Sequence, residues 1–130
     1  MTNLRAQPAA WPISEKFREI LAELVREQAG SCVLSFRDPG YSAENGGYHP
    51  VEIMVGSGGD IGYITDFSFV GIHPHTELAK ELDFDFSNQV FEQLGFHYDI
   101  SAGREIFKTW QENFCNYFCW GVFKVSVDPM

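Results

Sequence analysis

Apolar and acidic residues alternate one by one through Glu81-Leu82-Asp83-Phe84-Asp85-Phe86. Successive side chains of a strand project from opposite sides of the pleat. This segment therefore predicts Leu82, Phe84 and Phe86 on a core-facing side and Glu81, Asp83 and Asp85 on a carboxylate-lined side. The same period of two runs through Cys32 to Phe36 and through Val51 to Val55, where Val51, Ile53 and Val55 alternate with Glu52 and Met54. It returns in Ile61 to Val70, with Tyr63, Thr65, Phe67 and Phe69 on one face and Ile64, Asp66 and Ser68 on the other. The Gly-rich tract from Gly56 to Asp60 reads as the hairpin connection between those two strands. Gly71 to Thr76 reads as a loop containing Pro74, and Glu77 to Phe86 leads through the acidic strand. Gln89 to Leu94 fits a strand slightly better than a helical turn, and Val122 to Val127 reads as a final strand.

Near both ends the period changes to that of a helix. Ile13, Phe17, Ile20, Leu21, Leu24 and Val25 recur at helical spacing behind Ser14, a good N-cap, which predicts a helix over 14–29 ended by Ala29-Gly30. Its outer face carries Glu15, Glu19, Glu23 and Glu27, an acidic row at a spacing where like charges oppose helix formation by about 0.2–0.5 kcal/mol per pair. Arg18 and Arg26 offset part of that. Ile106, Phe107, Trp110, Phe114, Tyr117 and Phe118 form the stripe of a second helix, over 101–118, capped by Ser101. Between the first two strands lies a long loop, Arg37 to Pro50, with turns at Asp38-Pro39-Gly40 and Asn45-Gly46-Gly47. Loops of this length are often binding segments, which makes Tyr41, Tyr48 and His49 candidates.

A helix, a run of antiparallel hairpins, a helix and a strand predict an α+β fold. The expected architecture is an antiparallel sheet of about five to seven strands, with an N-terminal helix and a C-terminal helix packed on one face. The 130 residues read as a single domain, 1–130, with an irregular lead-in over 1–12. A chain of that length buries roughly two-thirds of its unfolded surface, enough for a core without disulfides or metal. With 12 Phe, that core should be rich in aromatic rings.

Charge narrows the function classes. Nine basic against 18 acidic residues give a net −9. That field repels phosphate backbones and argues against direct nucleic-acid binding, favouring basic partners or divalent ions. Met1 to Trp11 holds one Arg and no apolar run, so it does not read as a secretory signal. The longest stretch free of charged side chains, Asn113 to Phe123, is too short to span a membrane, for which about 20 residues are needed. Cys32, Cys115 and Cys119 form no CxxC pair, which suggests a reducing compartment and a cytoplasmic location.

Candidate chemistry is sparse. Asp83 and Asp85 share a face, and hairpin pairing can bring Asp66 or Glu52 beside them; such a cluster raises its own pKa values or binds a cation. His73-Pro74-His75 resembles a metal pair but lacks further ligands at zinc-site spacing, and reads as a surface loop. Cys115 and Cys119, four apart on the second helix and roughly opposite its aromatic stripe, read as small residues under an interface or partly covered by another element. Gly56-Ser57-Gly58-Gly59 lacks the Lys of a phosphate loop and reads as a flexible turn. No GxSxG motif occurs.

Several blocks together carry a family resemblance. They are Phe36-Arg37-Asp38-Pro39-Gly40-Tyr41 with Gly46-Gly47-Tyr48-His49-Pro50-Val51-Glu52, Tyr63-Ile64-Thr65-Asp66-Phe67-Ser68, Asp83-Phe84-Asp85-Phe86, and Trp110-Gln111-Glu112-Asn113-Phe114. Over roughly residues 30–127 the chain resembles a gammaproteobacterial family known only as domain of unknown function two-seven-eight-seven, often found on mobile genomic islands. That family's fold is similar to the mitochondrial acidic matrix protein, also called a receptor for a complement globular head. The resemblance implies a twisted antiparallel sheet flanked by terminal helices and an acidic, ring-shaped trimer that binds many proteins. It transfers no functional residue.

The leading expectation is a non-enzymatic, cytoplasmic, homo-oligomeric protein-binding module without cofactor or metal and with no affinity for membranes. It would present Glu52, Asp66, Asp83 and Asp85, with Glu19 and Glu23, to a basic protein. Two other readings are an acidic mimic of DNA that blocks a nucleic-acid enzyme, and a divalent-metal-dependent enzyme using Asp66, Asp83 and Asp85.

Overall fold

In the computed structural model, residues 4–6 and 11–130 are described; the other positions of the expected lead-in lie outside them. Helix α1, Glu15–Val25, begins at Ser14, whose Oγ accepts a hydrogen bond from the Phe17 N–H at 3.2 Å. It ends at Val25, short of the expected Gly30. Val25 is the last residue that reaches the core, and the Arg26 N–H already turns back to the Glu23 carbonyl. Strands β1 (Cys32–Arg37), β2 (Val51–Val55), β3 (Ile61–Ile72), β4 (His75–Asp85), β5 (Val90–Gln93) and β6 (Phe96–Asp99) follow. Helix α2 spans Arg104–Cys119 after a 3-10 turn, Ile100–Gly103, and β7 spans Lys124–Pro129. Asp99, not Ser101, caps the turn: its Oδ2 accepts from the Ser101 N–H at 3.1 Å.

All seven strands form one sheet in the order β6-β5-β4-β3-β2-β1-β7, every neighbour antiparallel. This is the α+β arrangement expected, with one more strand than the pattern revealed. β6 carries no core-facing alternation because it is four residues long and exposed along its length. Its turn, Leu94-Gly95, places both residues at positive φ, 50° and 87°, and Leu is an uncommon residue there. The β3–β4 hairpin also runs further than expected, closing tightly around His73 and Pro74.

Register lines residues up in rows across the sheet. Val127, Leu34, Ile53, Ile64, Phe84, Phe91 and Tyr98 form one row on the helix-covered face. The helices add Phe17, Leu21, Phe107 and Phe114, and the rings meet mostly edge-on, as in Phe36–Phe114 at 4.9 Å and Phe17–Phe114 at 5.6 Å. Such pairs contribute about 0.5–1.5 kcal/mol each beyond their buried area. Leu82, Phe84 and Phe86 do point into this core. The two helices are tied together where the Ser14 N–H donates to Gln111 Oε1 at 3.0 Å.

On the opposite face a row runs Ser126, Ser35, Glu52, Thr65, Asp83, Glu92, His97, and a second runs Asp128, Val33, Met54, Tyr63, Asp85, Val90, Asp99. Among the described residues, no helix covers this face. Residues 81–86 therefore sort as the alternation predicts, with one exception. Asp66 pairs with Leu82 and Phe67 with Lys80, so Glu81 is the extra residue of a β-bulge. A bulge interrupts strict alternation. Glu81 accordingly joins Leu82 on the helix side instead of Asp83 and Asp85 on the other.

Candidate functional site

The sheet carboxylates expected to share one surface fall into two regions, on opposite faces. Glu52, Asp83 and Asp85 lie together on the uncovered face, as expected. Asp66 does not: its register partners Val51 and Leu82 place it on the helix side. An enzyme site combining Asp66 with Asp83 and Asp85 is therefore excluded by the thickness of the sheet. Glu19 and Glu23 project into solvent from α1, also on the helix side, and do not extend the acidic face.

On the uncovered face most carboxylates already have partners. The Tyr63 O–H donates to Glu52 at 2.6 Å, and burial followed by that bond pushes the Tyr63 phenol up. Asp83 is buried at 7% exposure, accepts from the Thr65 hydroxyl at 2.9 Å and lies 3.4 Å from Lys80 Nζ. Burial raises its carboxyl above the usual range, and Thr65 and Lys80 oppose the rise. Asp85 accepts from the Asn88 backbone and side chain, closing the turn into β5. Glu92 pairs with His97 at 2.9 Å. Interleaved with these are Val33, Met54, Phe67 and Val90, all half-buried.

The second region is built by the loop before β2. Asp38 braces both ends of that loop, accepting from the Gly40 N–H at 2.9 Å and the Tyr48 N–H at 3.0 Å. Gly47 passes so close, at φ +128°, that a Cβ there would stand 2.8 Å from Asp38 Oδ2. Tyr41 stacks on Phe69 at 5.2 Å and its hydroxyl oxygen accepts from the Phe69 N–H. Thus anchored, the loop delivers His49 to the sheet, with its Nδ1 2.8 Å from Asp66 Oδ1 and 2.8 Å from Glu81 Oε2. From the other side, the Trp110 N–H of α2 donates to Asp66 Oδ2 at 2.9 Å. The bond to Asp66 raises the His49 imidazole above its ordinary value; burial opposes this and the two carboxylate charges add to it.

These groups sit in a cavity of about 360 Å³ between α2 and the sheet, walled by Tyr48, Trp110 and Tyr117 and flanked by Asn113. One nitrogen and two carboxylate oxygens come within 4.8 Å of one another there, the only such trio of metal-capable groups among the described residues. His49 and Tyr48 were candidates from the sequence; the partnership with Asp66, Glu81 and Trp110 was not. A signal for Asp66 was present, because it shares the parity of Ile64, a core residue. Cys115 is buried and Cys119 exposed, and neither belongs to a cluster of metal-capable groups among the described residues. His73 and His75 lie exposed at the β3–β4 turn, as expected.

Fold and surface together define an acidic α+β protein built on a single seven-stranded antiparallel sheet. The chain belongs to the family described as protein of unknown function DUF2787, which matches residues 13–128. A hypothetical protein from the VSP-II pathogenicity island of Vibrio cholerae is 30% identical and superposes with a TM-score of 0.79, each chain covered over 98%. A conserved hypothetical protein from pathogenicity island VPI-2 of the same species is 39% identical, with a TM-score of 0.78 over 90% of this chain and 95% of that one. The latter is described as sharing structural homology with the human P32 protein, in keeping with the fold expected from the sequence blocks. No curated protein matches the chain. Among the described residues no helix is long and apolar enough to cross a membrane.

Proposed function

We propose that this protein is a non-enzymatic binding module that engages a basic protein through the uncovered face of its sheet. The observation that supports the reading is the composition of that face: Glu52, Asp85, Glu92, Asp99 and Asp128 interleave with half-buried Val33, Met54, Tyr63 and Val90. Acid supplies long-range attraction in a chain of net charge −9, and the apolar positions supply area for a partner to desolvate. Asp83, being buried, positions Lys80 and Thr65 and does not meet the partner. A mimic of DNA fits less well, because the carboxylates alternate with apolar and hydroxyl side chains and do not form a continuous ridge.

In the same reading the module self-associates. Among the described residues β6 is an edge strand, beside Leu94 and Phe96, which are 59% and 68% exposed, and such an edge can pair with a second copy.

Poly-L-lysine serves as the test ligand. Binding should weaken at least tenfold between low salt and about 0.5 M salt, where the Debye length falls to a few ångströms. A joint Glu52→Gln, Asp85→Asn, Glu92→Gln variant should weaken it at low salt. Affinity indifferent to both changes removes the basis for the reading.

A further inference from the structure

We propose that His49, Asp66 and Glu81 form a binding site for a divalent transition-metal ion of the Zn²⁺ class, open on its remaining side to the cavity beneath α2. The site is distinct from the uncovered face and stands on different residues.

The geometry of the trio is the first support. Neutral His49 carries at most one proton on Nδ1, yet Asp66 Oδ1 and Glu81 Oε2 both stand 2.8 Å from it. One N–H cannot point along both lines, so a single proton satisfies this arrangement incompletely. A metal ion between the three atoms accepts one lone pair from each of them at once. Zn²⁺ holds nitrogen and carboxylate oxygen at about 2.0–2.2 Å, which sets ligand atoms about 3.3 Å apart in a tetrahedron. The two nitrogen–oxygen spacings of 2.8 Å lie below that value, and all three atoms lie within 4.8 Å of one another.

The second support is the way Asp66 is held. Its side chain is 13% exposed, in a row with Val51 and Leu82 on the helix-covered face, where an ionised carboxylate is costly without strong partners. Trp110 engages Oδ2 and leaves Oδ1 turned to His49. A carboxylate with one oxygen fixed by an outer donor and the other free for an ion is the usual construction around a bound metal. Glu81 reaches the same point because it is the bulged residue of β4.

Ligand type then selects the ion. One imidazole with two carboxylates suits Zn²⁺ or Mn²⁺ better than Mg²⁺ or Ca²⁺, which prefer oxygen-only shells. The adjoining cavity of about 360 Å³ leaves room for water or a small anionic ligand at the open position, beside Asn113 and Tyr117.

The test is calorimetric titration of the full metal-free chain with ZnCl₂ and MnCl₂ at about pH 8, paired with thermal melts. One ion per chain and a rise in melting temperature are expected. Glu81→Gln, at a position only partly buried, and His49→Ala should each weaken binding at least tenfold while circular dichroism stays native. Trp110→Phe should weaken it about tenfold as an outer partner. Absence of heat and of a thermal shift with either ion at millimolar concentration overturns the proposal. So does undiminished binding in folded Glu81→Gln and His49→Ala, which would locate any ion on the exposed carboxylates instead. Neither result bears on the salt dependence of poly-L-lysine binding, which tests the uncovered face alone.

Discussion

Replacing Trp110 with Phe removes one N–H donor and leaves most of an aromatic side chain in place. Trp110 is 8% exposed, stacks on Phe114 at 5.0 Å and meets Phe17 edge-on at 6.0 Å. A phenyl ring keeps much of that packing, and the lost ring atoms account for about 1 kcal/mol. The larger loss is the hydrogen bond to Asp66 Oδ2, since bonds to charged groups contribute about 1.5–3 kcal/mol. The variant should therefore lose about 2.5–4 kcal/mol, a large fraction of a typical domain's 5–15 kcal/mol. Urea unfolding with an unchanged slope gives the total. A double-mutant cycle with Asp66→Ala, which removes the acceptor, isolates the bond, because the ring-size loss persists in both backgrounds. The expected coupling is at least 1.5 kcal/mol. A coupling below about 0.5 kcal/mol would mean that Trp110 merely packs beside the carboxylate, and the account of how Asp66 is held would be wrong.

Two further outcomes follow from other contacts. Gly103 sits against Phe91, and a Cβ there would stand 2.7 Å from the ring; Gly103→Ala should cost about 1–3 kcal/mol by overpacking, and adding Phe91→Leu should recover part of it in thermal melts. The His49 imidazole is raised in the folded state, so its contribution to stability is fully present below the unfolded value near 6.5 and is lost as pH rises through the higher folded value. The stability difference between the natural chain and His49→Gln should accordingly be largest near pH 6 and smaller near pH 9 in metal-free buffer; a difference independent of pH would contradict the pairing of His49 with Asp66 and Glu81.

The sequence by itself determined where both helices and six of the seven strands lie, and which side of the acidic strand is apolar. Period-two alternation fixed Leu82, Phe84 and Phe86 as core, and period-3.6 spacing did the same for Phe107, Trp110 and Phe114. These are local properties: the pleat and the helical turn sort side chains wherever the strand or helix lies. The family blocks were legible for the same reason, since they are contiguous runs.

Which carboxylates meet was decided only by tertiary structure. Alternation gives parity within a strand but says nothing about how one strand slides along the next, and a single extra residue inverts it. The bulge at Glu81 moved that side chain across the sheet, register took Asp66 away from Asp83 and Asp85, and a loop far along the chain supplied His49 to both. Burial of Asp83 likewise depended on its neighbours, Thr65 and Lys80, being brought to it by pairing. Long-range pairing couples residues that no local pattern connects, which is why the sheet could be read from the chain and the site could not.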